Sequence, residues 1–388
     1  MRLAERLRSI EPFYVMECAK AAAALARSPE CADSPMVFLN IGEPDFTAPA
    51  PVLEAAQRAL RAGRTQYTPA QGLDGLRERL SGWYAQRYGV DIEPERILIT
   101  AGASAALHLL CLALVDPHDE VLLADPGYPC NRHFVSAAGG VPVLVPTSAA
   151  QRFQLSSASV QAAWTPRTRG VMLATPSNPT GTSIDAQEMG RIVASVRARG
   201  GYTIVDEIYL GLSYEDATAG TALVHGDDVI SVNSFSKYFS MTGWRLGWMV
   251  VPRELVGAVD KLAQNLYICA SSVSQQAALA CFEPESLAEY ERRRVEFRAR
   301  RDYLVPALER LGLPVPVRPD GAFYAWADCS AHASSSWDFC LDMMHRAHVA
   351  ITPGRDFGRL GMERFVRLSY ANSMAQLHTA VERLAGQL

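Results

Sequence analysis

Short apolar runs recur through the middle of the chain, separated by stretches whose apolar positions carry a helical spacing. The runs at 97–100, 120–124, 141–145, 171–174, 203–206, 229–233 and 244–251 read as strands. Several are apolar without alternation, the pattern of strands covered on both faces. Amphipathic segments such as 104–115 and 185–198 lie between them. Strand and helix repeated in this way predict an α/β domain with a mainly parallel sheet, placed at 45–285. Beyond 285 the pattern changes. A long charged helix (286–311) leads to a strand at 323–328, a helix at 336–347, a strand at 365–370 and a final helix. This order predicts a smaller α+β domain built from 1–44 and 286–388, the N-terminal part packing there without a strand partner of its own. No repeat or long linker separates the two parts, so one helix is expected to be shared between them.

The chain has 388 residues, 49% of them hydrophobic, enough for a large core. The net charge is −4 with both signs mixed along the chain, so nothing points to nucleic acid or a membrane surface as partner. A small-molecule substrate is the expectation. The eight cysteines form no CxxC pair and sit mostly in apolar runs, as in Leu110-Cys111-Leu112. That favours reduced thiols in a cytoplasmic protein. The N-terminus is too charged for a signal peptide, and no stretch approaches the roughly 20 apolar residues of a membrane span.

Four segments carry candidate chemistry. In Asn233-Ser234-Phe235-Ser236-Lys237, with Arg245 eight positions later, a lysine follows a buried strand. Such a lysine can form an imine with an aldehyde cofactor, while Ser234, Ser236 and Arg245 offer donors to a phosphate. The plainer reading is a solvated lysine beside a Ser-rich turn. Asp206 ends the strand 203–206, where open α/β sheets bind ligands. A carboxylate there can pair with a protonated pyridine nitrogen. At about 4 Å and an effective dielectric near 20 the pair contributes roughly 4 kcal/mol, or about three pK units. Tyr209 follows within bonding range of a ring oxygen, although Asp206 could equally cap the next element. Ser177-Asn178-Pro179-Thr180-Gly181 is a turn signature whose position puts Asn178 at the strand ends. Thr100–Leu107 runs from a strand into a helix through small residues, which leaves N–H groups open to a phosphate or simply packs tightly.

Taken in order, SNPTG, TIVDEIY, NSFSKYFSMTGWRLGW and RLSYA resemble the signatures of the class I aminotransferases of fold-type I, a pyridoxal-phosphate-dependent superfamily. Asn178 and Asp206 are 28 positions apart. The likeness extends to IGEPDF (41–46), YTPAQG (67–72), DPGYP (125–129), GAFYAW (321–326) and TPGRDFG (352–358), nearly the whole chain. It implies a large domain with a mainly parallel mixed sheet sandwiched by helices, and a ping-pong transaminase acting on L-amino acids and 2-oxo acids.

The resemblance also implies roles. Lys237 would carry pyridoxal 5′-phosphate as a Schiff base and shuttle the proton. Asp206 would face the pyridine nitrogen, with Asn178 and Tyr209 on the ring oxygen and Tyr128 stacked on the ring. Ala103, Ser104, Ser234, Ser236 and Arg245 would hold the phosphate. Tyr67 would reach the phosphate of a neighbouring subunit, which requires a homodimer. Arg367 would clamp the substrate carboxylate bidentately, assisted by Gly42 and Asn178. No metal is implied: His345 and His348 lack an acidic or cysteine partner and read as a solvated helix end. Pro353-Gly354-Arg355 is expected to shape the domain junction.

A C–S or β-eliminating lyase would share every cofactor residue. A ligand-sensing module without turnover would need an attached DNA-binding domain, for which the resemblance, starting near Met1, leaves no span. The chain departs from the aspartate- and prephenate-using subgroup it resembles at Ser104, where a lysine that meets acidic substrates is common. A donor with a neutral side chain is therefore expected, unless Arg355 or a partner's arginine replaces that cation.

Overall fold

The computed structural model describes residues 2–12, 14–215 and 219–388. Every apolar run becomes a strand of one sheet: β1 (Ile97–Thr100), β2 (Glu120–Asp125), β3 (Val141–Pro146), β4 (Thr168–Ala174), β5 (Tyr202–Asp206), β6 (Val229–Ser234) and β7 (Gly247–Val250). Their order across the sheet is β1-β7-β6-β5-β4-β2-β3. All pairings are parallel except those of β7, which runs antiparallel to β1 and β6. The unbroken apolar sequence has a direct cause. Successive side chains leave a strand on opposite faces, and each face has its own core. Val121, Leu123, Met172, Ile204 and Met249 enter one core, shared with helices Ala103–Leu114 and Arg253–Leu266. Leu122, Val171, Leu173, Val205 and Trp248 enter the other, beneath helices Asp74–Tyr88 and Ala186–Arg197.

Two details differ from the sequence reading. The strand expected over 244–251 begins only at Gly247. Thr242–Trp244 form a tight turn and Arg245 adopts a left-handed backbone (φ 54°, ψ 56°), which hydrophobicity does not register. The N-terminal part does have a strand partner: Val37–Phe38 pairs in parallel with Val349–Ala350. A two-residue strand is too short to show a period.

A second sheet joins Thr352–Pro353, Phe365–Ser369 and Tyr324–Asp328 antiparallel. Helix Pro284–Arg310, 27 residues and about 40 Å long, runs past both parts. Its charged composition conceals buried arginines. Arg300, 1% exposed, forms a forked pair with Asp45 at 2.7 and 2.9 Å and also bonds Glu296. Arg293 donates to the Thr47 carbonyl at 2.6 Å, and both guanidinium groups lie about 5 Å from the Phe46 ring. The loop 42–47 is thereby fastened to the helix. Among the described residues no helix is long and apolar enough to cross a membrane.

Arg300→Ala strands Asp45 and Glu296 without their buried cation. Both carboxylates keep some solvent contact (27% and 36% exposed), so chemical denaturation should show a loss of about 2–3 kcal/mol, whereas a loss below about 1 kcal/mol would mean the pair is no better than a surface ion pair.

Candidate active site

Because β2, β4, β5 and β6 are parallel, their carboxyl ends collect along one edge of the sheet. Asp206 closes β5 and Ser234 closes β6 there. A cavity of about 470 Å³ opens at this edge.

Asp206, Lys237 and Arg367 face it, and among the described residues none of the three is closed into a salt bridge. Asp206 is 4% exposed and accepts a bond from Ile208 N at 3.2 Å. Burial pushes its carboxyl up to about 7, with Glu207 adding to the rise and Lys237 opposing it. Lys237 Nζ donates to the Gly42 carbonyl at 2.6 Å and stands 5.7 Å from the Tyr209 ring. Burial, with Arg367 and Arg245 nearby, draws its amine down to about 8 against the pull of Glu43 and Asp206. Arg367, 2% exposed, donates to Asn178 Oδ1 at 2.9 Å and to the Asn40 carbonyl at 2.8 Å. Its Nε is buried without a partner, and no carboxylate among the described residues pairs with it. The bond to Arg367 commits Asn178 Oδ1 as an acceptor, so its amide NH₂ is the donor left for the cavity.

At the other end of the cavity, helix Ala103–Leu114 begins at Gly102, whose φ of 85° suits glycine. A Cβ there would come within 2.6 Å of Arg245 Nη2. The small-residue turn thus has a steric reason and also leaves the helix N-terminus beside a cation. Ser234 Oγ bonds Ser236 Oγ at 2.9 Å and accepts from Ser236 N at 3.0 Å. Arg245 Nη1 bonds the Thr242 carbonyl at 3.0 Å. Donors converge here, as an anion requires. Tyr128 and Tyr209 complete the wall.

The structure therefore brings together Gly42, Ala103, Ser104, Tyr128, Asn178, Asp206, Tyr209, Ser234, Ser236, Lys237, Arg245 and Arg367 around one space. Tyr67 is apart, 78% exposed on the outer surface. His348 bonds the Ser34 carbonyl at 2.9 Å. Arg355 is held by Glu363 at 3.3 Å and by the rings of Tyr14 and Trp337, and does not line the cavity. Sequence reasoning missed the apolar wall of Val15, Met16, Ala19, Ile41 and Ile208, and also Tyr324. Tyr324 lies within a segment that carries the resemblance, so a signal was present. Nothing local marks Val15 or Met16, which are carried in by helix Tyr14–Leu25, whose first N–H groups bond the Asp356 carboxylate at 3.3 and 2.9 Å.

A lysine and a carboxylate at the carboxyl edge of this sheet, faced by an arginine from the second sheet, make a site suited to an enzyme that handles amino groups. The chain belongs to the class I and II aminotransferase family, whose model matches residues 34–384. Over 380 residues it is 39% identical to the valine–pyruvate aminotransferase of Mycobacterium tuberculosis, covering 98% of this chain and 97% of that protein. It superposes on a crystal structure of an aminotransferase from M. tuberculosis with a TM-score of 0.96 at 39% identity, over 100% of this chain and 99% of that one. For the aspartate aminotransferase of Thermus thermophilus with maleate the TM-score is 0.93 at 34% identity, both chains covered completely. The activity is transamination between an amino acid and a 2-oxo acid, in a family that is generally pyridoxal-phosphate-dependent. None of these relatives is named as an eliminating lyase or a sensor.

Asp206 carries a stability signature. Its carboxyl is raised on folding, so the charged form opposes the fold above about pH 7, and the penalty fades as pH falls through 7 towards the unfolded value of 3.8. Asp206→Asn should raise the unfolding free energy of cofactor-free protein by about 2–4 kcal/mol at pH 8, with the gain vanishing near pH 4. An equal or lower stability at pH 8 would contradict the burial of an unrelieved charge.

Proposed function

We propose that this chain uses pyridoxal 5′-phosphate, held on Lys237, to move the amino group of a donor with an uncharged side chain onto a 2-oxo acid. One observation carries the reading: a buried carboxylate, a buried amine and a buried guanidinium face a single cavity, and among the described residues none of the three is closed into a salt bridge. The orphaned Nε of Arg367 and the unrelieved Asp206 fit a ligand that brings a carboxylate to one end and a cationic ring nitrogen to the other. The donors around Gly102 and Ser234 fit its phosphate.

The bound cofactor supplies an aldehyde that captures amines and a ring that accepts electrons. Lys237 would anchor it and, once freed, take and return the proton at the substrate Cα; an amine near pKa 8 is suited to both. Asp206 would keep the ring nitrogen protonated. Tyr209 and the Asn178 amide would donate to the ring oxygen, and Tyr128 would stack on the ring. Ala103, Ser104, Ser234, Ser236 and Arg245 would hold the phosphate. Arg367 and Gly42, with Asn178, would orient the substrate carboxylate.

The division into a large unit (45–285) and a small one (1–44 and 286–388) puts Arg367 on one side and Asp206 and Lys237 on the other. We assign the working form as a homodimer in which Tyr67 serves the partner's phosphate site. Its 78% exposure, unusual for a large aromatic residue, supports this. Free cysteines favour a cytoplasmic location.

The donor class follows from the wall. Apart from Lys237, Arg245 and Arg367, all with assigned work, the cavity is lined by no cation among the described residues. Ser104 provides none, and Arg355 is bound elsewhere. A donor carboxylate side chain would lie against the apolar Val15, Met16 and Ile41, of which Met16 (52%) and Ile41 (43%) are exposed, with no further cation of this chain to pair with it. The mycobacterial relative named for valine and pyruvate agrees with an apolar donor.

With a 2-oxo acid acceptor present, kcat/KM for alanine, valine, methionine or phenylalanine should exceed that for aspartate by about tenfold or more. Aspartate in first place would sink the donor assignment, and turnover without any acceptor would restore the eliminating lyase. The dimer has its own test. Lys237→Ala and Tyr67→Ala should each be nearly inactive alone. Mixed under subunit exchange, they should regain roughly a quarter of wild-type activity, because half the dimers are hybrids with one complete site. No regain would place Tyr67 outside the site.

A further inference from the structure

Tyr324 has no assigned part above, yet it stands where the cofactor side of the site meets the substrate clamp. It opens strand Tyr324–Asp328, is 1% exposed and lines the cavity. Its hydroxyl is 2.8 Å from the Tyr209 hydroxyl, with the two rings at 80°. Arg367 Cζ lies 4.4 Å from its ring centroid. A Cβ on Gly42 would fall 2.6 Å from the Tyr324 hydroxyl oxygen, so the glycine that receives the Lys237 bond is fitted around this phenol. One side chain therefore touches the residue facing the ring oxygen, the carboxylate clamp and the glycine beside the lysine.

We propose that Tyr324 is a positioning residue that couples the carboxylate clamp to the cofactor side: its hydroxyl donates to Tyr209, and its ring seats Arg367. The inference rests on the pyridoxal-phosphate reading and adds a residue and a coupling to it. Either phenol could donate, and the surroundings choose between them. Burial pushes both above the usual tyrosine range. Arg367 opposes that rise at both rings. A phenol has one proton to donate; in the pyridoxal-phosphate reading Tyr209 gives its own to the ring oxygen, so across the 2.8 Å contact Tyr324 is the donor and Tyr209 the acceptor. A hydroxyl that accepts one hydrogen bond donates a stronger one, by about 10–30% along such a chain. The Tyr209 proton is then presented to the ring oxygen with more force than Tyr209 alone provides. The guanidinium over the ring face is held by a cation–π contact in a dry setting. The ionisable groups facing this pair are Tyr128, Asp206, Lys237, Arg367 and, through Lys237, Glu43 and Arg245. None of them is altered by the substitutions below.

The test compares Tyr324→Phe and Tyr324→Leu with wild-type holoenzyme. The readouts are the pH midpoint of the bound cofactor's visible band, the affinity for isovalerate as a non-reacting carboxylate, and kcat and KM for alanine. A weaker Tyr209 donor leaves the ring oxygen more able to retain the proton shared with the lysine nitrogen, so the midpoint rises. Tyr324→Phe should raise it by roughly half a unit or more and lower kcat, with isovalerate affinity kept within about twofold. Tyr324→Leu should raise the midpoint too and weaken isovalerate by about fivefold or more, because Arg367 loses the nearer of its two ring contacts, keeping only Phe357 at 4.9 Å. An unchanged midpoint in Tyr324→Phe overturns the hydroxyl relay. Equal loss of isovalerate affinity in both variants overturns the separate part of the ring. Tyr324→Phe keeps the shape of the core and decides the relay even if Tyr324→Leu does not fold. Failure of the cofactor reading looks different, since wild-type protein would then have no visible band to titrate.

Discussion

Charge buried without its complement governs this structure. A carboxylate at the end of β5, an amine just beyond β6 and a guanidinium on the facing sheet each lose hydration on folding. Left alone they oppose the fold, since an unpaired ion in a protein interior costs several kcal/mol. The two cores on either side of the sheet supply the apolar burial that tolerates them. A ligand carrying the missing charges, as the proposed function requires, would return that stability as binding affinity. The same arrangement moves the lysine and the aspartate towards neutrality from opposite directions, the condition in which either can exchange a proton.

Parallel topology turns this set of charges into a site. Asp206, Ser234 and the turn after β4 share an edge because their strands run the same way, while β7 returns antiparallel to bring Arg245 back beside Gly102. The left-handed backbone at Arg245 completes the approach. The opposite wall depends on the loop 42–47, which Arg293 and Arg300 fasten to the long helix. Gly42 can therefore meet both Lys237 and Tyr324 across a long stretch of sequence.

What could be read from the sequence was what is local. Lys237, Asp206 and Asn178 each follow an apolar strand directly, so strand pattern and residue type together disclose them. The order of the motifs then named the family, and the family model and relatives agree. Hidden were features made by distant segments. Val15 and Met16 reach the cavity on a helix whose start Asp356 bonds from more than 300 residues away and whose apolar side packs on distant segments. Arg300 looks like part of a solvated face until the fold buries it against Asp45. Tyr324 was visible within a motif, but its meaning depends on two partners, Tyr209 and Arg367, that sequence does not place beside it.

The N-terminal helix has a consequence of its own. Val15, Met16 and Ala19, part of the cavity's apolar wall, sit on an element outside the main sheet that is bonded at its start to the Asp356 carboxylate. The groups assigned the proton transfers sit on other elements, Asp206 at the end of β5 and Lys237 just beyond β6. On that assignment appetite and chemistry belong to different pieces of the chain, and editing one short helix would change diet while leaving the reaction intact.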